Sequence, residues 1–331
     1  MKRSYWLLVV LTMGFAGCSP ADGGSTSTTE AEITTTEVMA APATTNGPVT
    51  TITETSVFPV TIDTDDGPVT IEAKPETIVS LSATATEMLF AIGAGDQVVA
   101  VDDQSNYPEN APATDLSGIA PNVEAILSYS PDLVIIAYDS GDLITSLQAQ
   151  DVPVISYGAA FTLDDTYRQI EGLGLATGRA EDAFAVNEQI KIDLNEIVAD
   201  TPQVPEGTDY YHEVDNTYFT ATSSTFIGQV YSMFAIENIA DPADIDGAAF
   251  GFPQLTSEFI VAADPDIIFL GNAFYGESVE SVSVRPGWGE MGAVEGGDIV
   301  ELDSDVVSRW GPRVVDFARS VSAALTSYVE G

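Results

Sequence analysis

Two stretches of the chain, EAILSYSPDLVIIA (residues 124–137) and EFIVAADPDIIFLG (residues 258–271), share one design. Each begins with a glutamate and an apolar helical segment, and a Pro-Asp pair starts seven residues after the glutamate. A run of apolar residues typical of a buried strand then follows. The two copies are offset by 134 residues. An internal repeat of this kind predicts two lobes of the same architecture.

The segment between the copies predicts the connection of the lobes. EDAFAVNEQIKIDLNEIVA (residues 181–199) has apolar residues spaced by three and four, which indicates one long amphipathic helix. Gly178 before this segment and Pro202 after it are typical boundary residues. We therefore expect an N-terminal lobe at residues 57–178, a connecting helix at 179–203 and a C-terminal lobe at 204–331.

The start of the first lobe predicts its sheet. VFPVTIDTDDGPVTI (residues 57–71) alternates apolar and polar residues around Asp66-Gly67, which indicates a β-hairpin. Residues 77–101 indicate a strand, a helix opened by a capping box from Thr84 to Glu87, and a second strand. Such a βαβ unit predicts an α/β fold with parallel sheets, whose ligands bind at the carboxyl ends of the strands.

The charge of the chain excludes one class of partner. Its 331 residues include 51 acidic and only 10 basic side chains, which gives a formal net charge of -41. Nucleic-acid binding is excluded because phosphate contacts require many lysines and arginines. Disorder of the whole chain is also excluded, since 45% of the residues are hydrophobic. The acidity belongs on the surface of a folded protein.

The N-terminus predicts export. Lys2 and Arg3 precede a short apolar run that ends in small residues before Cys18, which is typical of a signal peptide over residues 1–18. FAGC (residues 15–18) resembles a bacterial lipobox, which implies a lipidated Cys18 and a membrane anchor. The alternative is a free or buried cysteine after ordinary secretory cleavage. Residues 19–56, rich in Thr and Ser, predict a disordered tether. The folded part is then expected on the outer face of the cytoplasmic membrane.

From residue 77 onward the sequence resembles a family of ABC importer substrate-binding proteins for ferric siderophores, haem and cobalamin. The motifs that carry the resemblance are SLSATATEMLFAIGAGDQVVAV (80–101), NYP (106–108), NVEAILSYSPDLVI (122–135), FTATSSTFIGQV (219–230), ENIAD (237–241), QLTSEFIVAADPDIIFL (254–270), PGW (286–288) and SRWGPR (308–313). The resemblance implies two Rossmann-like lobes with mostly parallel sheets, a single long connecting helix and a ligand cleft between the lobes. It implies no catalysis, no intrinsic cofactor and no resident metal. The partners that it implies are a metal chelate and a permease with its ATPase, with the receptor itself a monomer.

The resemblance assigns two docking residues. In the family, one glutamate at the tip of each lobe docks onto arginine pockets of the permease, and Glu124 and Glu258 match those positions. The alternative for each is an acid that complements the dipole in the first turn of its helix, a stabilisation of about 0.3–1 kcal/mol. The identical offset in both lobes favours docking.

The resemblance also assigns cleft residues. Tyr107, Tyr138, Phe219 and Phe252 match positions that face the ligand, and flat aromatic walls suit a large macrocycle or an aryl-bearing chelate. Each could instead be a core residue. Arg309 of SRWGPR matches a position that would offer a bidentate fork to a ligand oxygen. Its alternative is an intramolecular pair with an acid, and the same alternative applies to Arg313 and Arg319. Arg285, just before PGW, is a further candidate for the cleft.

Three other functions stay open from the residues. A haem receptor of the same fold would need an iron ligand, and His212 is the only histidine, although its sequence context favours a hydrogen-bonded strand residue. A surface carbohydrate-active enzyme could use a carboxylate pair among the 51 acids. A structural surface protein would have no need of two matched lobes. The sequence therefore favours a lipid-anchored receptor for a ferric siderophore or a cobalamin.

Overall fold

The computed structural model describes residues 58–331. The leader, Cys18 and the tether predicted at residues 1–56 lie outside the described residues. Within the part that is described, no helix combines the length and the apolar composition that a membrane span requires.

The described chain opens with the expected hairpin. Strands β1 (Val60–Thr64) and β2 (Gly67–Ile71) pair antiparallel, with Thr64 opposite Gly67 at the turn. Gly67 has a φ of 109°, a conformation that glycine adopts without steric cost. Ile62 and Ile71 face the core, so one face of the hairpin is buried, as the alternation predicts.

The first lobe contains a parallel sheet with four helices. Its strands are β3 (Ile78–Leu81), β4 (Val98–Asp102), β5 (Ala113–Leu116), β6 (Leu133–Ile136) and β7 (Val154–Ser156), and its helices are α1 (Ala83–Ala91), α2 (Val123–Leu127), α3 (Leu143–Gln148) and α4 (Leu163–Thr177). The spatial order of the strands is β5-β4-β3-β6-β7. Strands β3, β6 and β7 are buried at every position, as in parallel sheets covered on both faces.

A long helix leads to the second lobe. Helix α4 ends at Gly178, whose φ of 70° is the left-handed conformation common at helix C-termini. Helix α5 (Ala180–Asp200) then runs for 21 residues and packs against α4. The long amphipathic helix expected between the repeats is confirmed.

The second lobe repeats the design on a smaller scale. Its strands are β8 (Asp209–Glu213), β9 (Glu237–Asn238), β10 (Ile267–Leu270) and β11 (Ile299–Glu301), and its helices are α6 (Phe226–Ser232), α7 (Ser257–Ala263), α8 (Val279–Ser283), α9 (Gly292–Gly296), α10 (Ser304–Ser308) and α11 (Val314–Glu330). The strands are parallel in the order β11-β10-β8-β9. The predicted α/β class with two mostly parallel sheets is therefore confirmed.

The Pro-Asp pairs of the repeat have equivalent places in the two sheets. The carboxylate of Asp132, just before β6, accepts hydrogen bonds of 2.9 and 3.0 Å from the backbone N–H groups of Glu76 and Thr77, just before β3. The carboxylate of Asp266, just before β10, accepts one of 3.0 Å from the N–H of Asp209 at the start of β8. In each lobe the repeated aspartate thus ties the starts of two neighbouring strands together.

The capping box predicted from Thr84 to Glu87 is wrong. The N-cap of α1 is Ser82, whose hydroxyl accepts a hydrogen bond from the N–H of Ala85. Thr84 and Glu87 are both buried inside the helix. Glu87 is turned toward basic partners from the C-terminal part of the chain, described below, and a buried carboxylate gains more from such partners than from a cap.

The two lobes share one apolar core. A continuous cluster of buried side chains includes Ile135 of β6, Ile190 of α5, Phe269 of β10 and Val321 of α11. Helix α11 packs against α5 as well as against α6 of the second lobe. The connection between the lobes is therefore a packed structural unit.

Candidate ligand-binding cleft

The loops that follow the carboxyl ends of the strands bring the two lobes into contact. Asn106 lies on the loop after β4, and Asp305 lies in α10, shortly after β11. The side-chain amide of Asn106 donates a hydrogen bond of 2.7 Å to the Asp305 carboxylate. The ends of the two sheets at which an α/β fold binds ligands therefore lie on the same side of the interface.

A buried carboxylate lies at the centre of this contact. Glu87 accepts a hydrogen bond of 2.8 Å from Arg309 and two bonds of 2.6 and 2.8 Å from Arg313, and its side chain is 2% exposed. Arg309 also donates to Asn106 and to the backbone oxygen of Gln104, and it pairs with Asp305 at 2.9 Å. We call Glu87, Asn106, Asp305, Arg309 and Arg313 the Glu87 cluster.

The ligand-binding fork predicted for Arg309 is occupied by the protein. Both terminal nitrogens of the guanidinium donate to protein acceptors, and the residue is buried. The intramolecular alternative therefore describes Arg309, because a buried guanidinium requires charged and polar partners. Arg313 has a buried partner as well, whereas Arg319 forms only an exposed pair with Asp316.

Tyr107 lies beside the Glu87 cluster. Its ring faces the guanidinium of Arg313, with 4.5 Å between the guanidinium carbon and the ring centroid, and 46% of the residue is exposed. It borders a groove of about 590 Å³ between α1, α5 and α11. Tyr138, Phe219 and Phe252 do not line this groove, so it does not collect the four predicted aromatics.

The other three predicted aromatics also follow strand ends and are partly exposed. Tyr138 lies directly after β6. Strand β6 is two strands away from β4, which precedes the loop of Tyr107, so the two strands are roughly 10 Å apart in the sheet. Phe219 and Phe252 lie on the loops after β8 and β9. These loops are joined, since Phe219 pairs with Gln254 in an antiparallel bridge. The structure thus brings Phe219 and Phe252 onto one double loop and keeps the two tyrosines on the first lobe.

A second buried charge cluster lies at the end of β8. Glu213 is fully buried and accepts two hydrogen bonds from Arg285 and one of 2.9 Å from Asn272. Arg285 also donates to Glu277 at 2.7 Å. We call these four residues the Glu213 cluster. The rings of Trp288 and Tyr218 lie 4.6 and 5.6 Å from the guanidinium carbon of Arg285. Arg285, predicted as a further cleft residue, is thus surrounded by partners within the protein.

Hydrogen bonds shift the pKa values of Glu277 and Arg285. Burial acts to raise the pKa of Glu277, but hydrogen bonds from Ser281 and Arg285 outweigh it and hold that pKa below its usual value. Burial likewise acts to lower the pKa of Arg285, and the hydrogen bonds to Glu213 and Glu277 raise it instead. Both groups are charged at neutral pH.

Four exposed aromatics at strand ends were missed by the sequence analysis: Phe161 after β7, Phe250 after β9, and Phe274 and Tyr275 after β10. Phe274 and Tyr275 are 83% and 82% exposed, and their rings contact edge to face at 5.4 Å. A usable signal exists for Phe161, Phe274 and Tyr275, because each follows a buried strand within five residues, whereas Phe250 lies 12 residues after β9. Together with the predicted aromatics they surround the carboxyl ends of both sheets.

His212 is a hydrogen-bonded residue of strand β8, as its sequence context suggests. It is 1% exposed, and its Nδ1 lies 2.8 Å from the hydroxyl of Tyr231. Burial lowers its pKa to about 3, so the ring is neutral at physiological pH. Among residues 58–331, no group of three or more histidine, cysteine and carboxylate side chains is arranged to hold a metal ion.

Glu124 and Glu258 have matching positions in their lobes. Each is the second residue of a short helix, α2 or α7, and each is exposed. The N-cap residues Asn122 and Thr256 accept a hydrogen bond from the N–H three residues on in both helices. Each glutamate therefore lies in the first turn of the helix that precedes a central strand of its sheet.

The fold and the site are those of a two-lobed solute-binding protein. Each lobe has a parallel sheet, a long helix connects the lobes, and aromatic loops lie at the carboxyl ends of the strands. Residues 78–306 match the family model of the periplasmic binding protein. An uncharacterised ABC transporter substrate-binding lipoprotein of Bacillus subtilis is 32% identical over 283 residues, which cover 82% of this chain and 87% of that protein. A cobalamin-binding protein of Halobacterium salinarum is 29% identical, with coverage of 80% and 74%.

The solved structures agree with this class. A possible iron-binding periplasmic solute-binding protein of Staphylococcus epidermidis superposes with a TM-score of 0.67 at 25% identity, and covers 76% of this chain and 99% of that chain. The chain belongs to the periplasmic binding protein family. Members of this class are extracytoplasmic solute receptors of ABC importers and not enzymes, which confirms the resemblance drawn from the sequence.

Proposed function

We propose that this receptor captures a cobalamin or a ferric siderophore between its lobes and delivers it to an ABC permease. The observation that carries the proposal is the set of partly exposed aromatic rings at the carboxyl ends of both sheets. Rings on rigid loops offer a large flat ligand much contact area at a small cost in side-chain entropy. The names of the relatives, one cobalamin-binding and one possibly iron-binding, support the same range of cargo.

Haem is the second candidate, and one observation bears on it. His212 is buried against Tyr231 and has no access to a ligand in the cleft. Haem iron would instead need a tyrosine oxygen, a ligand that some haem proteins use. Tyr107, Tyr138 and Tyr275 are exposed enough to serve. A cobalamin or a siderophore arrives with its metal already coordinated, and so requires no such ligand.

Arg309 has a different role in this proposal from the one that its motif implies. It holds the loop of Asn106 against Glu87 and Asp305, and the neighbouring Tyr107 lies under Arg313. We infer that Arg309 positions Tyr107 and does not itself contact the ligand. The ligand-facing set is then Tyr107, Tyr138, Phe219 and Phe252, with Phe274 and Tyr275 added from the structure.

Delivery completes the proposal. Glu124 and Glu258 are exposed carboxylates at equivalent points of the two lobes, an arrangement that suits a permease with two basic pockets. A lipidated Cys18 followed by the tether would keep a monomeric receptor close to that permease. Docking, lipidation and the monomeric state are all parts of the proposal.

Ligand titration tests the cargo. Cyanocobalamin, haem and a ferric trihydroxamate are each titrated against the intrinsic Trp and Tyr fluorescence of the purified protein, and we expect one of them to saturate at one ligand per chain. Tyr138→Ala and Phe252→Ala should each weaken that ligand at least about fivefold, since an aromatic contact contributes about 1 kcal/mol. Phe184→Ala is the matched control, because Phe184 is an exposed aromatic on α5 away from the strand ends. Equal effects of all three variants would refute the cleft assignment.

A further inference from the structure

The basic side chains of the folded part are almost all committed to acids. Seven of them form ion pairs: Arg168, Arg179, Lys191, Arg285, Arg309, Arg313 and Arg319. Within residues 58–331, Lys74 is the one that has no such pair. It lies just before β3, at the end of the first sheet opposite to the aromatic loops. No unpaired cation of the described residues therefore faces the cleft.

The arginines near the cleft bring no net positive charge to it. The Glu213 cluster holds Arg285 between two carboxylates, Glu213 and Glu277, so its formal charge is negative by one unit. The Glu87 cluster holds Arg309 and Arg313 against Glu87 and Asp305, so its formal charge is zero. The side chains of these three arginines are at most 13% exposed. An incoming anion would have to displace an existing carboxylate to reach them.

The loops around these clusters carry acids without basic partners. No ion pair within the described residues involves the following carboxylates, all of which lie in the segments that follow strand ends. They are Asp103, Asp139, Asp142, Asp215, Asp241 and Asp303. The electrostatic potential is therefore negative at the carboxyl ends of the strands, where the aromatic loops lie. A negative potential repels anions and attracts cations.

We propose that the cleft selects chelates that are uncharged or cationic and rejects anionic chelates. This inference rests on the proposed function and narrows its cargo. A corrinoid or a ferric trihydroxamate can enter without opposing charge, because its binding depends on apolar and stacking contacts with the rings. A ferric triscatecholate is trianionic. Binding at this site would remove its hydration shell, and no unpaired guanidinium group would form an ion pair with it there.

A charge series of ligands tests the selection. The probes are neutral cyanocobalamin, a monocationic ferric trihydroxamate, its uncharged N-acylated analogue and a trianionic ferric triscatecholate, each titrated at about 0.1 M salt, where charges interact over about 10 Å. We expect the triscatecholate to bind at least about tenfold more weakly than the best of the other three. Between the two trihydroxamates, the cationic one should bind more tightly, and its advantage should shrink as salt rises.

A charge reversal on the Tyr107 loop tests the cause. Asp103 is exposed, and its carboxylate accepts no hydrogen bond from the described residues, so Asp103→Lys should not disturb the fold. We expect this variant to bind the triscatecholate at least about threefold more tightly than the wild-type protein does. Glu196→Lys is the control, since Glu196 is an exposed acid on α5 and its reversal changes the net charge equally. It should leave all affinities unchanged.

The outcomes separate the two proposals. If the triscatecholate binds as tightly as the neutral and cationic probes, the receptor function stands and the charge selection is overturned. If Asp103→Lys and Glu196→Lys have the same effect, the potential of the cleft loops is not the cause and the inference also falls. If none of the probes binds, the proposed function fails, and the charge selection fails with it.

Discussion

Glu87 of α1 and Arg313 at the start of α11, 226 positions apart in the sequence, are joined by two hydrogen bonds of 2.6 and 2.8 Å. The pair connects the first lobe to the C-terminal segment, and Arg309 donates a hydrogen bond to the same carboxylate. Because the guanidinium of Arg313 also covers the ring of Tyr107, the ion pair couples the contact between the lobes to a residue proposed to face the ligand.

The first prediction concerns this carboxylate. Glu87→Gln should lower the free energy of unfolding by about 3–5 kcal/mol, because it removes the negative partner of Arg313 and one of the two negative partners of the buried Arg309. Urea denaturation followed by circular dichroism measures the change. Asp316→Asn is the control: Asp316 pairs with Arg319 at 2.7 Å, but both side chains are more than half exposed, and such a pair contributes at most about 1 kcal/mol. Equal losses in the two variants would contradict a special role for Glu87.

The second prediction concerns movement of the lobes. The continuous core through α5 and α11, the Glu87 cluster and the 2.9 Å bond from the Trp310 indole to Gln169 of α4 all connect the lobes. We therefore expect small closure on ligand binding compared with receptors that have loose hinges. Small-angle scattering should give the same radius of gyration, within error, before and after saturation with the ligand found by titration. A clear compaction would contradict the prediction.

The fold could be predicted from the sequence because its determinants are local or repeated. The repeat that contains Pro131-Asp132 and Pro265-Asp266 marks equivalent helix–strand units, and the spacing in residues 181–199 marks the long helix. Such patterns of apolar residues depend only on the period of each element. The structure adds the reason for the aspartate, which ties the starts of adjacent strands together.

The site could be predicted only in part, because its polar contacts join distant segments. Nothing close to Glu87 in the sequence indicates that its partners are Arg309 and Arg313. The local pattern predicts a capping role for it, whereas the cap is Ser82. Phe274 and Tyr275 are a different case. Their position a few residues after a buried strand is visible in the sequence, but the family motifs do not include them.

The third prediction uses the aspartate of the repeat. Burial acts to raise the pKa of Asp132, but hydrogen bonds from Glu76 and Thr77 outweigh it and hold that pKa below its usual value. A depressed carboxyl pKa stabilises the folded state above the pKa of the unfolded chain, and this stabilisation is lost as the pH falls through the folded value. Asp132→Asn should therefore be less stable than the wild-type protein at pH 7, and the difference should shrink on acidification. A difference that is constant between pH 7 and pH 3 would contradict the assignment.

The fourth prediction tests docking. Lysine at both Glu124 and Glu258 should abolish uptake of the cargo by cells that carry the cognate permease, because like charges would face its basic pockets. The affinity for the ligand should not change, because neither glutamate is among the residues proposed to face the ligand. The control replaces Glu181 and Glu196, two exposed acids of α5, by lysine in one protein. If the first variant supports as much uptake as this control does, Glu124 and Glu258 are not docking residues.

The fifth prediction concerns acid stability and the buried histidine. Burial lowers the pKa of His212 to about 3, whereas an unfolded histidine titrates near 6.5. Between these values the unfolded chain binds a proton that the folded protein does not, so stability falls as the pH falls through 6.5. On going from pH 7 to pH 5, this one residue should cost about 2 kcal/mol, at 1.36 kcal/mol per pH unit below 6.5. His212→Gln can still hydrogen-bond to Tyr231 but does not titrate. Because the carboxylates act equally in both proteins, the variant should lose about 2 kcal/mol less than the wild-type protein over this range in urea denaturation, and equal losses would show that His212 is charged in the folded state.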